Sequence, residues 1–226
     1  MPGGGPKYEA AERQPPPADS LLGDARKERI DEVVRRRTRS LAIVLDRLED
    51  AFNMAAVLRT CEAMGIQEVH VIEHPFAKFS PNEKVTQGCE KWLDVRIHPD
   101  FAACREHLKS REYAIWASSI RPGATPLHEM SFKGPLALVF GNERSGVCGE
   151  ALAAADGVFW IPMRGFSQSL NISVAVAATL TRAIDWRRER FGEEGDLPES
   201  ERRALTERFQ KLAVKQRGRI YKAEDP

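Results

Sequence analysis

Four stretches of this chain carry residue types that bind ligands or move protons, and each follows an apolar run. Glu49, Asp50, Asn53 and, two helical turns on, Arg59 come after 41–46. Ser118 and Ser119 close 113–118. Gly141-Asn142-Glu143-Arg144-Ser145-Gly146 follows 136–140, and Arg164, Ser167, Gln168, Ser169 and Asn171 follow 157–162. Arginine, glutamate, asparagine and serine beside glycine-lined backbone suit a reaction in which a hydroxyl is positioned and its developing oxyanion stabilised, next to a ligand held by main-chain groups. Gly141, lacking a side chain, would let a flat ring approach a strand end. The polar elbow in FWIPMRGFSQSLNISVAVAATL (159–180) lies between two segments apolar enough to be buried, so its side chains need partners from protein or ligand. Ser169 or Asn171 capping the following helix is an equally good account of that segment alone.

Several familiar chemistries are absent. No GxGxxG follows a strand, no GxxxxGK[ST] occurs, and neither GxSxG nor HExxH is present. The five histidines have strand or surface explanations, so a general base, if there is one, is expected not to be histidine. Cys61, Cys89, Cys104 and Cys148 are widely spaced, with no CxxC and no paired histidines nearby, which argues against a zinc site and a disulfide framework. No metal is expected. Reduced thiols fit a cytoplasmic setting.

The elements that must position these residues are strands alternating with helices. The runs 41–46, 68–73, 92–98, 113–118, 136–141 and 157–162 read as strands. The segments 53–65 (opened by Asn53), 99–111, a short stretch after Gly149, and 170–191 read as helices. The class is α/β, a mostly parallel sheet with helices on both faces, and ligands in such sheets bind beyond the carboxyl ends of the strands. The 226 residues, of net charge +1, hold one such domain with appendages. Residues 1–22 read as a proline- and glycine-rich disordered leader, 23–195 as the domain, and 196–226 as a C-terminal helix with a basic tail. No apolar run is long enough to span a bilayer. Helix 23–39, capped by Asp24, has a thin apolar stripe and carries Arg26, Arg29, Arg35, Arg36 and Arg37, which makes a phosphate-binding arm a competitor to a merely solvated face.

The segments NMAAVLRTCEAMG (53–65), LVFGNERSGV (138–147) and IPMRGFSQSLNISVAVA (161–177), in this order and spacing, resemble the three signatures of the SpoU/TrmH family of knotted (SPOUT) RNA ribose 2′-O-methyltransferases. The resemblance extends to ARKERIDEVVRRRTRS (25–40) and KVTQGCEKWLDVRIHPD (84–100), covering roughly 24–191. It implies a deep trefoil knot around 136–175, a homodimer, and S-adenosylmethionine held near Ser118, Gly141, Ile161, Met163 and Leu170. It implies catalytic positions at Asn53, Arg59, Glu143, Ser169 and Asn171, with Arg187 a further, RNA-contacting position. The small residues of the helix after the elbow suit close packing in such a dimer. The family's tRNA-modifying members are the nearest in pattern, which implies methylation of the D-loop guanosine at position 18; another tRNA position or an rRNA loop stays open. A knotted domain that docks on RNA without catalysis is the competing class, and Arg59, Glu143 and Asn171 together speak against it.

Overall fold

The computed structural model describes residues 21–74, 86, 88–192 and 195–223, the last eight by backbone alone. The disorder expected of residues 1–20 and most of the irregular span 76–91 lie outside these. The elements run α1 (Asp24–Arg35), β1 (Thr38–Asp46), α2 (Ala51–Ala63), β2 (Ile66–Ile72), β3 (Asp94–His98), α3 (Phe101–Lys109), β4 (Ala114–Ser118), β5 (Thr125–Pro126), β6 (Leu136–Gly141), α4 (Gly149–Ala154), β7 (Gly157–Trp160), α5 (Ile172–Phe191) and α6 (Glu199–Ala223).

The strands form one sheet in the order β3-β2-β1-β6-β4-β7-β5, with every paired neighbour parallel. The α/β class and the helices on both faces are as expected from the sequence. The two-residue β5 is additional, too short to leave a periodic signal. Alternation splits the core cleanly. Leu41, Ile43 and Leu45 of β1 and Leu136, Leu138 and Phe140 of β6 face α2 and α5, while Ala42, Val44, Ala137 and Val139 face α3 and α4. Leu41–Leu45 of β1 and Leu136–Phe140 of β6 are therefore apolar on both faces, as the part of a parallel strand covered on two sides must be.

Two helix caps differ from the sequence reading. Asp50, not Asn53, caps α2, accepting a hydrogen bond from Phe52 N at 2.7 Å, and this leaves Asn53 inside the first turn with its side chain available for other work. Gly23 precedes α1 and makes no side-chain cap; Asp24 is the first helical residue. Gly65, at φ +78° beyond the end of α2, has Arg36 O where a Cβ would stand, so only glycine fits this reversal. α1 is better held than its thin stripe suggested. Ile30 and Val34 are buried against Leu205, Phe209 and Ala213 of α6, together with Leu22 from the end of the expected leader. No helix among the described residues is long and apolar enough to cross a membrane.

Candidate active site

The carboxyl ends of β1, β6, β4 and β7 are adjacent in the sheet, and a cleft of about 1440 Å³ runs across them. The five residues expected near the cofactor, Ser118, Gly141, Ile161, Met163 and Leu170, line it, as do Asn53, Glu143, Ser169 and Asn171. Arg59 does not. It is exposed on α2 and makes no hydrogen bond or ion pair with a described residue. A smaller hollow of about 670 Å³ between α3 and α4 gathers none of these groups.

Three side chains from three separate elements join at one side of the cleft. Asn171 Nδ2 donates to Asn53 Oδ1 at 2.9 Å, and Asn53 Nδ2 donates to Glu143 Oε1 at 2.8 Å. Asn171 Oδ1 in turn accepts from Ser173 N at 2.9 Å, capping α5. The helix-cap and site readings of Asn171 thus hold together, because the cap uses the oxygen and leaves the amide nitrogen. The direction of the whole chain follows from Glu143, whose carboxylate only accepts, so each amide turns its NH₂ towards it. Glu143 makes no ion pair with its neighbour Arg144.

Loop 142–147 is fixed by a residue whose individual role the sequence reading missed. Asn142 bridges to Gly146 through both backbone groups, at 3.1 and 2.9 Å, and its Oδ1 accepts from Arg144 N at 2.8 Å. Its Nδ2 donates to Arg47 O at 2.9 Å and to Glu49 Oε1 at 3.2 Å, tying the loop to the end of β1. The available signal was an asparagine directly after a strand and before a glycine-bearing turn. The fold also revises why position 141 is glycine. A Cβ there would lie 2.0 Å from Val147 N and 2.1 Å from Gly146 C, so the loop's own backbone occupies the space that a ligand ring was expected to use. Gly141→Ala is expected to displace the loop and weaken cofactor binding at least about tenfold; calorimetric titration of the variant with S-adenosylmethionine checks this, and unchanged affinity overturns it.

The basic residues divide. Arg26, Arg29 and Arg35 are exposed on α1 and Arg36 just beyond its end; Glu32 pairs with Arg29 at 2.6 Å and with Arg36 at 3.0 Å. Arg37 leaves the phosphate-contact group. Its side chain is 0% exposed, bonds Glu62 at 2.8 Å and Ile66 O at 3.1 Å, and stacks over Phe209. Arg187 leaves it too, because its partly buried guanidinium is taken up by Ser40, Phe132 and Gly134.

A cleft across adjacent strand ends is where open parallel sheets take their ligands. Fold and site together therefore define an α/β ligand-binding domain with polar machinery along one wall. The chain belongs to the SpoU rRNA Methylase family, whose profile matches residues 40–181. It is 40% identical over 160 residues to the tRNA (guanosine(18)-2′-O)-methyltransferase of Thermus thermophilus, covering 71% of this chain and 82% of that protein. The crystal structure of the Aquifex aeolicus TrmH/SpoU tRNA modifying enzyme superposes with a TM-score of 0.77 at 30% identity, covering 84% of this chain and 98% of that one. A structure described for 2-OH methylation of C/U34 on tRNA superposes with a TM-score of 0.60 at 34% identity, covering 66% of this chain and 97% of that one.

Proposed function

We propose that this protein transfers the methyl group of S-adenosylmethionine to the ribose 2′-oxygen of guanosine 18 in the tRNA D-loop. The observation that carries the reading is the Asn171–Asn53–Glu143 chain, which links three strand ends at the wall of one cleft. The cleft suits the cofactor chemically. Phe140, Val147, Leu152, Ile161 and Leu170 supply apolar surface for an adenine ring, and Ser118, Ser119 and the 142–146 backbone supply polar groups for ribose and carboxylate. When bound, the cofactor supplies an electrophilic sulfonium methyl.

The protein's own residues then have distinct work. Glu143 and Asn171 orient the ribose, with Asn53 holding the carboxylate and the amide in register. Ser169, exposed at the cleft, offers a further hydroxyl for positioning. A ribose hydroxyl is a poor nucleophile until its proton is shared or lost, and the oxygen gains negative charge as attack proceeds. Arg59 stabilises that charge; a guanidinium stays protonated, so this role suits it better than literal base catalysis.

Arg59 leaves α2 roughly 120° around the helix from Asn53 and about 9 Å along it. It shares its face with Phe52, one heptad earlier and 60% exposed. We therefore propose a homodimer in which Arg59 serves the partner's cleft. Sedimentation giving the mass of two chains is expected, and a monomer at micromolar concentration would overturn it. The proposed trefoil knot is supported by strand order: β6 enters between β1 and β4, and β7 between β4 and β5, all laid down earlier in the chain. An experimental backbone that reduces to an unknotted line when its ends are fixed would reject the knot.

The exposed Arg26 and Arg35 on α1 are proposed to contact tRNA phosphates. Each alanine substitution is then expected to lower the slope of log affinity against log salt by about 1 without changing which nucleotide is methylated. Filter binding of tRNA across a salt series checks this; an unchanged slope removes the residue from the interface.

Methylation of nucleotide 34 is the second reading, favoured by the 34% identical structure. That structure covers only 66% of this chain, against 84% for the A. aeolicus enzyme. The test is transfer of labelled methyl to total tRNA and rRNA from cells lacking the enzyme, followed by mapping. Label confined to guanosine 18 is expected. Label at position 34 or in rRNA overturns the substrate, and no transfer with demonstrated cofactor binding overturns the enzyme reading.

A further inference from the structure

Away from the cleft, the sheet edge beneath α3 gathers three imidazoles, a thiol and a carboxylate that the proposed reaction does not use. His70 of β2 and Cys104 of α3 are fully buried, and His98 at the end of β3 is 9% exposed. His70 Nδ1 lies 3.0 Å from His98 Nε2, and one ring nitrogen of each histidine and Cys104 Sγ lie within 4.8 Å of one another. We propose that His70, His98 and Cys104 bind a thiophilic divalent cation such as Zn²⁺, with His70 bound through Nδ1.

Two observations carry it. The first is spacing. Two nitrogens at about 2.05 Å from a tetrahedral Zn²⁺ stand roughly 3.3 Å apart, so His70 and His98 need to separate by only a few tenths of an ångström. The second is an orphaned atom. His70 Nε2 is buried without a hydrogen-bond partner, yet it lies 3.5 Å from Glu68 Oε1. A ligating histidine usually presents its other ring nitrogen to a carboxylate, which fixes ring and tautomer. Glu68 is itself held by Arg96 at 3.3 Å and by Arg111, so it is placed to orient His70 rather than to ligate.

The thiol narrows the cation. A buried thiol becomes a ligand by giving up its proton to solvent and is taken by a metal that bonds strongly to sulfur. Oxygen-seeking Mg²⁺ and Ca²⁺ are excluded on that ground. The residues stand on β2, β3 and α3 with the two histidines 28 positions apart, so no linear zinc motif marks them. The expectation of a metal-free protein rested on that linear spacing.

The test is titration of the chelator-treated full chain with Co²⁺, followed by its thiolate charge-transfer band in the near ultraviolet and by displacement with Zn²⁺. One Co²⁺ per chain is expected, with the band present in wild type and in Cys89→Ser, and lost in Cys104→Ser. His98→Gln, at the edge of the cluster, is expected to weaken binding at least about tenfold, and decides the matter if Cys104→Ser fails to fold by circular dichroism. Absence of the band in wild type, its survival in Cys104→Ser, or undiminished affinity in His98→Gln overturns the site.

Discussion

Arg59→Ala is expected to lower methyl transfer about 10³-fold, the size of effect seen when a donor to a developing oxyanion is removed, while leaving S-adenosylmethionine affinity within about twofold. The split follows from where the residue stands. Arg59 is exposed, takes no part in a described hydrogen bond or ion pair, and does not line the cleft. Its loss therefore disturbs neither the fold nor the cofactor walls. Single-turnover transfer and calorimetric titration on one preparation read the two quantities separately, and near wild-type turnover removes Arg59 from the mechanism. Mixing tests the proposed arrangement across the dimer. Arg59→Ala and Glu143→Ala are each expected to be inactive alone, but dissociated and reassociated together they form mixed dimers in half of cases. If Arg59 serves the partner's cleft, one of the two sites in each mixed dimer is complete, and roughly a quarter of wild-type activity returns. If Arg59 serves its own cleft, every site is broken and nothing returns.

What the sequence made legible followed from short-range pattern. The buried strands were visible because β1 and β6 are apolar on both faces, and the cleft because polar residues follow each strand in a parallel sheet. Asn171 could be read as a cap from its place before an alanine- and valine-rich segment. Long-range partnership was not legible. Nothing near Ile30 and Val34 announces that α6, about 170 residues on, covers them. Asn53 looked like a cap because asparagine favours that position, and only the Asp50 side chain on Phe52 N frees it to join Asn171 and Glu143. Gly141 looked like space for a ligand, whereas the space belongs to a loop returning onto its own strand. Arginines are the hardest case, since composition alone does not separate one that meets phosphate from one that fastens a fold.

Arg187 is the sharpest instance of that ambiguity. Arg187→Ala is expected to destabilise the protein by about 3 kcal/mol, as the loss of a partly buried, multiply bonded cation does. Its Nε donates to Phe132 O at 2.9 Å, and Nη2 to Gly134 O at 2.7 Å and Ser40 O at 3.0 Å. Nη1 donates to Ser40 Oγ and lies 3.4 Å from Asp196, whose carboxylate also accepts from Arg39 N at 2.8 Å. One guanidinium thus fastens α5 to the start of β1, to the segment entering β6 and to the segment entering α6. Alanine leaves three carbonyls and a carboxylate short of a donor at once. Lysine, a point charge on a flexible stem, does not reproduce the planar fork, so Arg187→Lys is expected to recover less than half of the loss. Burial lowers the Arg187 pKa from the ordinary arginine value, as befits a cation held by carbonyls rather than by water. Urea unfolding gives the stability change. Filter binding of tRNA to the folded variant separates this role from phosphate contact: an unchanged salt slope with a lowered unfolding midpoint is expected, and a slope reduced by about 1 with normal stability would return Arg187 to the RNA surface.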